Sequence, residues 1–99
     1  MNKKHHNDCP VARVATLLSD PWTILIIRDL LKNKMRFSDL ERSLEGISSR
    51  TLTNKIKHLE EENIIQKNEL YYSITKKGSE LKNILDSMSA CGESRVFKK

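Results

Sequence analysis

The stretch from Pro21 to Lys32 constrains the fold more than any other part of the sequence. As a helix it places apolar side chains in nearly every direction around its axis: Trp22, Ile24, Leu25, Ile26, Ile27, Leu30 and Leu31. A helix that is apolar on all sides has to be covered on several sides. Because a chain of 99 residues has room for one core, this helix should lie at the centre of a single domain.

Helix-start signals define the first two elements. Asp20 can cap a helix and Pro21 suits a first turn, so the central helix begins at Pro21 and runs to about Lys32. Upstream, Pro10 can begin a shorter helix that ends near residue 19 and has apolar residues at helical spacing. The chain is therefore predicted to open with two helices.

A pair of helices is predicted around Gly46. Ser38 and Glu41 have the spacing of a capping box, which places a brief helix over about 39–44. A second helix follows over about 48–61. Two helices joined by a tight turn that contains glycine are the elements of a helix-turn-helix.

The helix over about 48–61 has one apolar and one polar face. Ser48 or Ser49 can cap its start. At about 100° per residue, its apolar side chains fall close together and must face the core: Leu52, Ile56 and Leu59. The opposite, polar face is the one that a recognition helix presents to DNA, and it carries Arg50, Asn54, Lys57 and Glu61, flanked by Thr53 and His58.

A β-hairpin and a last helix complete the pattern. The hairpin is predicted over about 64–75, with a turn at Asn68-Glu69. Thr75 can cap a last helix over about 76–91, whose apolar stripe consists of Leu81, Ile84, Leu85 and Met88. With a short strand at 35–37, this order predicts a mainly α (α+β) winged helix-turn-helix, in which the hairpin is a short wing.

The distribution of charge favours nucleic acid as the partner. Of the net charge of +5, the window 32–58 supplies +4, with seven Lys or Arg residues and three acids. Arg50 can bind guanine and Asn54 adenine with two hydrogen bonds each. The further candidates for contact with double-stranded DNA, most of them phosphate contacts, are Lys34, Arg36, Ser48, Ser49, Thr53, Lys57 and Lys67.

Three other interpretations compete with DNA binding. A charged outer helix face is often only a solvated surface, and a winged helix can serve as a protein-interaction module. An enzyme is not indicated, because the sequence has no glycine-rich phosphate loop, nucleophile motif or metal-ligand set. We therefore expect no catalytic residue, metal or cofactor. The two capped helices, the glycine turn and the hairpin together favour DNA.

The chain ends and the compartment are also predicted. No apolar run approaches the roughly 20 residues that span a bilayer, and residues 1–8 lack the apolar stretch of a signal peptide. We expect a cytoplasmic protein without a membrane partner, with one domain over 9–91 and flexible tails at 1–8 and 92–99. His5, His6 and Cys9 match no structural zinc spacing.

Seven short segments in order resemble one family of regulators. They are Cys9-Pro10, 17–31 (LLSDPWTILIIRDLL), 36–40, 46–53, 59–61, 64–65 and 72–78. Over residues 9 to about 85 the chain resembles the HxlR-type family of bacterial and archaeal winged-helix transcriptional regulators. The match depends on the number and order of the segments. The chain departs from the family at the wing, where only about three residues separate Lys67 from Tyr71.

The resemblance implies a homodimer that binds an inverted-repeat operator. Its first and last helices would form the interface, with Val11, Val14, Leu18, Leu81, Ile84, Leu85 and Met88. A twofold axis would place the two recognition helices roughly 34 Å apart, at successive major grooves. Repression is the usual outcome when a small dimer covers a promoter.

The resemblance also implies a trigger. Several members sense oxidants or electrophiles through a cysteine matched here by Cys9, which precedes a helix whose dipole favours thiolate. Cys91 on the last helix is a candidate partner across the subunit interface. The alternatives are an unreactive Cys9 with a packed Cys91, or a small apolar ligand at the dimer interface as the effector.

Overall fold

The computed structural model describes residues 9–97. Within that range the elements are α1 (Pro10–Leu17), α2 (Pro21–Lys32), α3 (Phe37–Ser43), α4 (Ser49–Glu61), β1 (Ile65–Asn68), β2 (Tyr71–Ile74), α5 (Lys76–Ser79) and α6 (Lys82–Glu93). The predicted winged helix-turn-helix is confirmed, with α3 and α4 as the helix pair and β1 and β2 as the wing. The predicted tail at 1–8, with His5 and His6, lies outside the described residues. So do the last two residues of the predicted C-terminal tail.

The helix α2 lies at the centre of the domain, as its all-round apolar pattern predicts. Ile26 and Ile27 are fully buried, and the helix contacts α3, α4, α6 and β2. The core that surrounds it draws on α2, α3, α4, β1, β2 and residues beside them: Ile26, Ile27, Leu30, Leu40, Leu44, Leu52, Ile56, Leu59, Ile64, Ile65, Tyr72 and Leu81. Burial of these side chains is the main stabilising contribution to the domain.

The start of α3 differs from the prediction. The helix begins at Phe37, and the backbone N–H of Arg36 donates to the Asp39 carboxylate at 3.0 Å. The capping box predicted for Ser38 and Glu41 is therefore wrong. Phe37 is half-buried against the core, and its packing starts the helix early enough to place Asp39 at the third position. The predicted strand at 35–37 is reduced to one bridge between Met35 and Tyr72.

The hairpin turn lies one residue further along the chain than predicted. β1 and β2 are antiparallel, with Ile65 opposite Ile74 and Asn68 opposite Tyr71. Because Asn68 is paired, the turn consists of Glu69 and Leu70. Glu69 takes a φ of 56°, in the left-handed region.

The predicted C-terminal helix is divided into α5 and α6. The Thr75 side chain caps α5 by accepting from the Gly78 N–H at 3.0 Å. At Glu80 and Leu81 the backbone N–H groups donate to carbonyls three residues earlier, which tightens the turn. Leu81 consequently points into the core and is only 7% exposed.

Two helices, α1 and α6, lie on the surface and contain no buried residue. Val11 is 76% exposed, Ile84 39% and Met88 46%. Val14, Leu18 and Leu85 are half-buried against the core. Among the residues predicted for a subunit interface, Leu81 instead belongs to the core of a single chain.

The helices are short by the standard of membrane spans. Within residues 9–97, no single helix has both the length and the apolar composition to cross a membrane. α1 and α2 meet both criteria only when taken together, across a bend of 88°.

Candidate nucleic-acid interface

The start of α4 is built from a glycine turn and a serine cap. Gly46 takes a φ of 92°, a conformation that side chains disfavour, and the Ile47 N–H donates to the Leu44 carbonyl at 3.0 Å. Ser48 Oγ then accepts from the Thr51 N–H at 3.0 Å. The predicted turn and the serine cap are confirmed, with Ser48 rather than Ser49 as the cap.

The two faces of α4 are separated as the helical projection predicts. Leu52, Ile56 and Leu59 are buried. The residues predicted to read DNA share the exposed face: Arg50, Thr53, Asn54 and Lys57. Among the described residues, neither Arg50 nor Lys57 forms an ion pair with a carboxylate. Their N–H donors are therefore free for an external anion or base edge.

An ion pair joins α4 to the start of α2. Lys55 Nζ lies 2.7 Å from Asp20 Oδ2, and Asp20 also accepts from the Trp22 N–H at 2.8 Å and from Thr23 Oγ1 at 2.8 Å. Burial alone would raise the pKa of the Asp20 carboxyl, but the hydrogen bonds from Lys55, Thr23 and Trp22 hold it below its ordinary value. Asp20 thus caps one helix and positions another.

Two further polar contacts connect the same three helices. Ser43 Oγ, at the end of α3, donates to Asp29 of α2 at 2.6 Å. Ser49 Oγ donates to Glu41 of α3 at 2.6 Å. Together with the ion pair of Asp20, these contacts link each pair among α2, α3 and α4. Sequence reasoning missed all three, because each joins residues on different helices and no local spacing reveals them.

The contact of Ser49 changes its predicted role. Its hydroxyl proton is donated to Glu41, and the Ser48 hydroxyl donates to Thr51 Oγ1 at 2.9 Å. Neither side chain is a free donor for a phosphate. What remains at this end of α4 are the backbone N–H groups of the first turn that Ser48 does not cap, and these suit an anion.

The remaining predicted cations lie beside the aromatic rings of the hairpin, Lys67 within β1 and Lys34 and Arg36 in the segment between α2 and α3. Lys34 Nζ is 4.7 Å and Arg36 Cζ 5.6 Å from the centroid of the Tyr71 ring. Lys67 Nζ is 5.4 Å from the centroid of the Tyr72 ring. Lys34, Arg36 and Lys67 are all exposed, so the predicted phosphate contacts are accessible.

The candidate effector sites are two thiols and a groove. Cys9, at the N-cap of α1, and Cys91, in α6, are exposed free thiols. The groove is a cavity of about 510 Å³ between α2 and α6. Its lining is half apolar, with Ile24, Leu25, Leu31, Leu85 and Met88, and half polar or charged, with Arg28, Lys32, Lys82, Asp86 and Ser89. Within residues 9–97, no group of three His, Cys, Asp or Glu side chains is placed to hold a metal ion.

Comparison with known proteins agrees with this architecture. A family model described as HxlR-like helix-turn-helix matches residues 17–99. The HTH-type transcriptional regulator sll1512 of Synechocystis is 34% identical over 91 residues, which are 85% of this chain and 67% of that protein.

Two solved structures have the same fold. Quinone-bound YodB of Bacillus subtilis superposes with a TM-score of 0.79 at 29% identity, covering 86% of this chain and 98% of that one. The redox regulator HypR in its reduced form superposes with a TM-score of 0.79 at 25% identity, covering 86% of this chain and 91% of that one.

Proposed function

Because the chain belongs to the HxlR-like helix-turn-helix family of transcriptional regulators, we propose that it binds an inverted-repeat DNA operator as a homodimer and represses transcription. The observation that carries this proposal is the exposed face of α4, where Arg50, Asn54 and Lys57 lie together and form no ion pair with any residue from 9 to 97. The opposite face of α4 is buried in the core and holds the exposed face in position.

In the proposed complex α4 enters the major groove. Arg50 and Asn54 lie in the first half of the helix, where side chains reach base edges, and can bind guanine and adenine respectively. The N–H groups of the first turn would meet a phosphate. Lys57, one turn further along, would contact the backbone and add affinity without reading sequence.

The proposed dimer is supported by the surfaces of α1 and α6. Both helices expose apolar side chains to solvent in the single chain, above all Val11, Ile84 and Met88. A twofold interface would bury these residues and would repeat α4 at successive major grooves, roughly 34 Å apart. A dimer of this size on a promoter would block access by RNA polymerase.

Selection from random duplex DNA tests the function. The full chain is incubated with a duplex pool under reducing conditions, bound DNA is recovered by gel shift, and the enriched sequences are determined. We expect an enriched palindrome with two half-sites. If no sequence is enriched, the proposal fails and the fold is better explained as a protein-interaction module.

We expect Arg50→Ala and Asn54→Ala each to weaken binding to the selected operator by about 1–3 kcal/mol and to relax base preference at one position per half-site. Lys57→Ala should weaken binding to the operator and to random duplex to the same extent, because a phosphate contact carries no sequence information. Titration of both duplexes at one salt concentration measures the difference. If Arg50→Ala reduced the affinity for operator and for random duplex equally, the role of Arg50 as a base reader would be contradicted.

Thiol oxidation is the second part of the proposal. Cys9 and Cys91 are exposed and unpaired, and HypR, to which this chain is similar, is described as a redox regulator. The selected operator is therefore titrated with and without a thiol oxidant, using the wild type and Cys9→Ser. Loss of binding only in the wild type supports a thiol switch. Binding that is indifferent to oxidant directs attention to a small apolar ligand, for which the groove between α2 and α6 offers space.

A further inference from the structure

The hairpin has an outer face that the helix-turn-helix does not use. The bridge between Met35 and Tyr72 adds residues 34–36 beside β2, with Met35 N–H···O=C Tyr72 at 3.0 Å and the reciprocal bond at 2.7 Å. Met35 and Tyr72 pack against the core. Because side chains alternate across an extended strand, Lys34, Arg36 and Tyr71 lie together on the opposite face.

On this face one aromatic ring holds two cations. The ring of Tyr71 is half-buried, with Lys34 Nζ 4.7 Å and Arg36 Cζ 5.6 Å from its centroid. Both distances lie within the range of a cation–π interaction. The ring attracts the cations but is no substitute for a carboxylate, so their positive charge is not neutralised.

Two cations of the helix-turn-helix are neutralised by ion pairs, whereas Lys34 and Arg36 are not. Arg42 is paired with Asp39 at 2.6 Å, and Lys55 with Asp20 at 2.7 Å. Within residues 9–97, no carboxylate forms an ion pair with Lys34 or Arg36. These two side chains therefore keep N–H donors available to an external anion.

A polar hollow lies beside Lys34 on this outer face. It has a volume of about 330 Å³ and is lined by Lys34, Asn68, Glu69, Tyr71 and Ser73. Its location matters because β1 follows α4 almost directly in the chain and packs against it. A duplex seated on α4 would therefore pass close to the hairpin.

We propose that this outer face is a phosphate-binding site for the DNA backbone, separate from α4, in which Tyr71 positions Lys34 and Arg36. The inference rests on the proposed DNA-binding function. The turn of the short wing contains Glu69 and Leu70 and no cation, so the turn itself offers no positive charge to DNA. The positive charge is supplied by the segment between α2 and α3.

The test is the salt dependence of binding to the selected operator and to random duplex. Binding weakens with salt, and loss of one phosphate contact makes the negative slope of log K against log salt shallower by about 0.9. We expect Lys34→Met and Arg36→Met each to show this loss, roughly 5- to 10-fold in affinity near 0.1 M salt, with base preference unchanged. Glu69→Gln is the control of opposite sign and should tighten binding, because it removes a negative charge from the same hollow.

The positioning role of Tyr71 has its own variants. Tyr71→Phe keeps the ring and should bind as the wild type does. Tyr71→Thr keeps a residue type that favours strands but removes the ring. Although both cations remain, this variant should bind both duplexes more weakly and show a shallower dependence of log K on log salt. Thermal unfolding of each variant separates this effect from loss of fold.

The outcomes distinguish this site from the proposed function. If the wild type binds duplex DNA and the Lys34→Met, Arg36→Met double variant keeps the wild-type slope, the phosphate site is refuted and the function stands. If Tyr71→Thr binds as the wild type while the double variant is weakened, only the positioning role is refuted. If the wild type binds no duplex DNA at all, both proposals fail.

Discussion

Replacing Gly78 with alanine is expected to lower the free energy of unfolding by about 2–3 kcal/mol. A Cβ at this position would lie 2.3 Å from the backbone oxygen of Ile64 and 3.1 Å from its Cγ2. That oxygen accepts from the Thr75 N–H and from Thr75 Oγ1, both at 3.0 Å. Because the contact is with backbone, relief requires that α5 and the start of the hairpin separate and that these hydrogen bonds weaken.

A second glycine provides the control. A Cβ at Gly92 in α6 would meet nothing within 4 Å, so Gly92→Ala should stabilise the helix by up to about 1 kcal/mol. The same substitution is therefore expected to have opposite signs at two positions of one chain. Urea unfolding at one protein concentration measures both. A Gly78→Ala variant as stable as the wild type would show that the two segments are less closely packed than the distance indicates.

Ile84→Asp is expected to convert the proposed dimer into a monomer. In the single chain the new carboxylate would stay in water, because Ile84 is 39% exposed. In a dimer formed through α6, twofold symmetry would bury one such carboxylate from each subunit without a partner. Each buried, unpaired charge destabilises the dimer by roughly 3–5 kcal/mol. Sedimentation should show a single-chain mass, and operator affinity should fall by at least about 100-fold.

The control for this variant lies on the other side of the same helix. Ala90 is exposed and projects well away from Ile84, so Ala90→Asp adds the same charge to α6 without entering the proposed interface. It should remain dimeric. Ile84 is a cleaner position than Leu85, which also packs against the core of its own chain. If Ile84→Asp sediments as a dimer, the interface does not involve this part of α6.

Local signals in the sequence predicted most of the elements. The Asp20-Pro21 start, Gly46 in the turn and the serine cap of α4 each depend on neighbours within four residues, and the structure contains all of them. The exposed polar face of α4 followed from helical periodicity alone. The confirmed fold class therefore reflects agreement between local chemistry and the pattern of apolar residues.

The differences arise where tertiary packing decides. α3 begins at Phe37 because that side chain packs against the core, and Glu41 then contacts Ser49 instead of Ser38. Leu81 shares a helical stripe with Ile84, yet a tight turn buries the first and leaves the second exposed. A projection on one helix cannot separate a residue that meets its own core from one available to another chain.

The three polar contacts among α2, α3 and α4 have a consequence for signalling. Since α4 cannot turn relative to its own chain without breaking the two of these contacts that it makes, Lys55 with Asp20 and Ser49 with Glu41, we expect an effector to move each subunit of the proposed dimer as one rigid lever about the dimer axis. In a body 37 Å long, a rotation of roughly 5° displaces the far end by about 3 Å, enough to break a hydrogen bond to a base. Distances between spin labels on the two α4 helices should then change, while those within one chain stay constant.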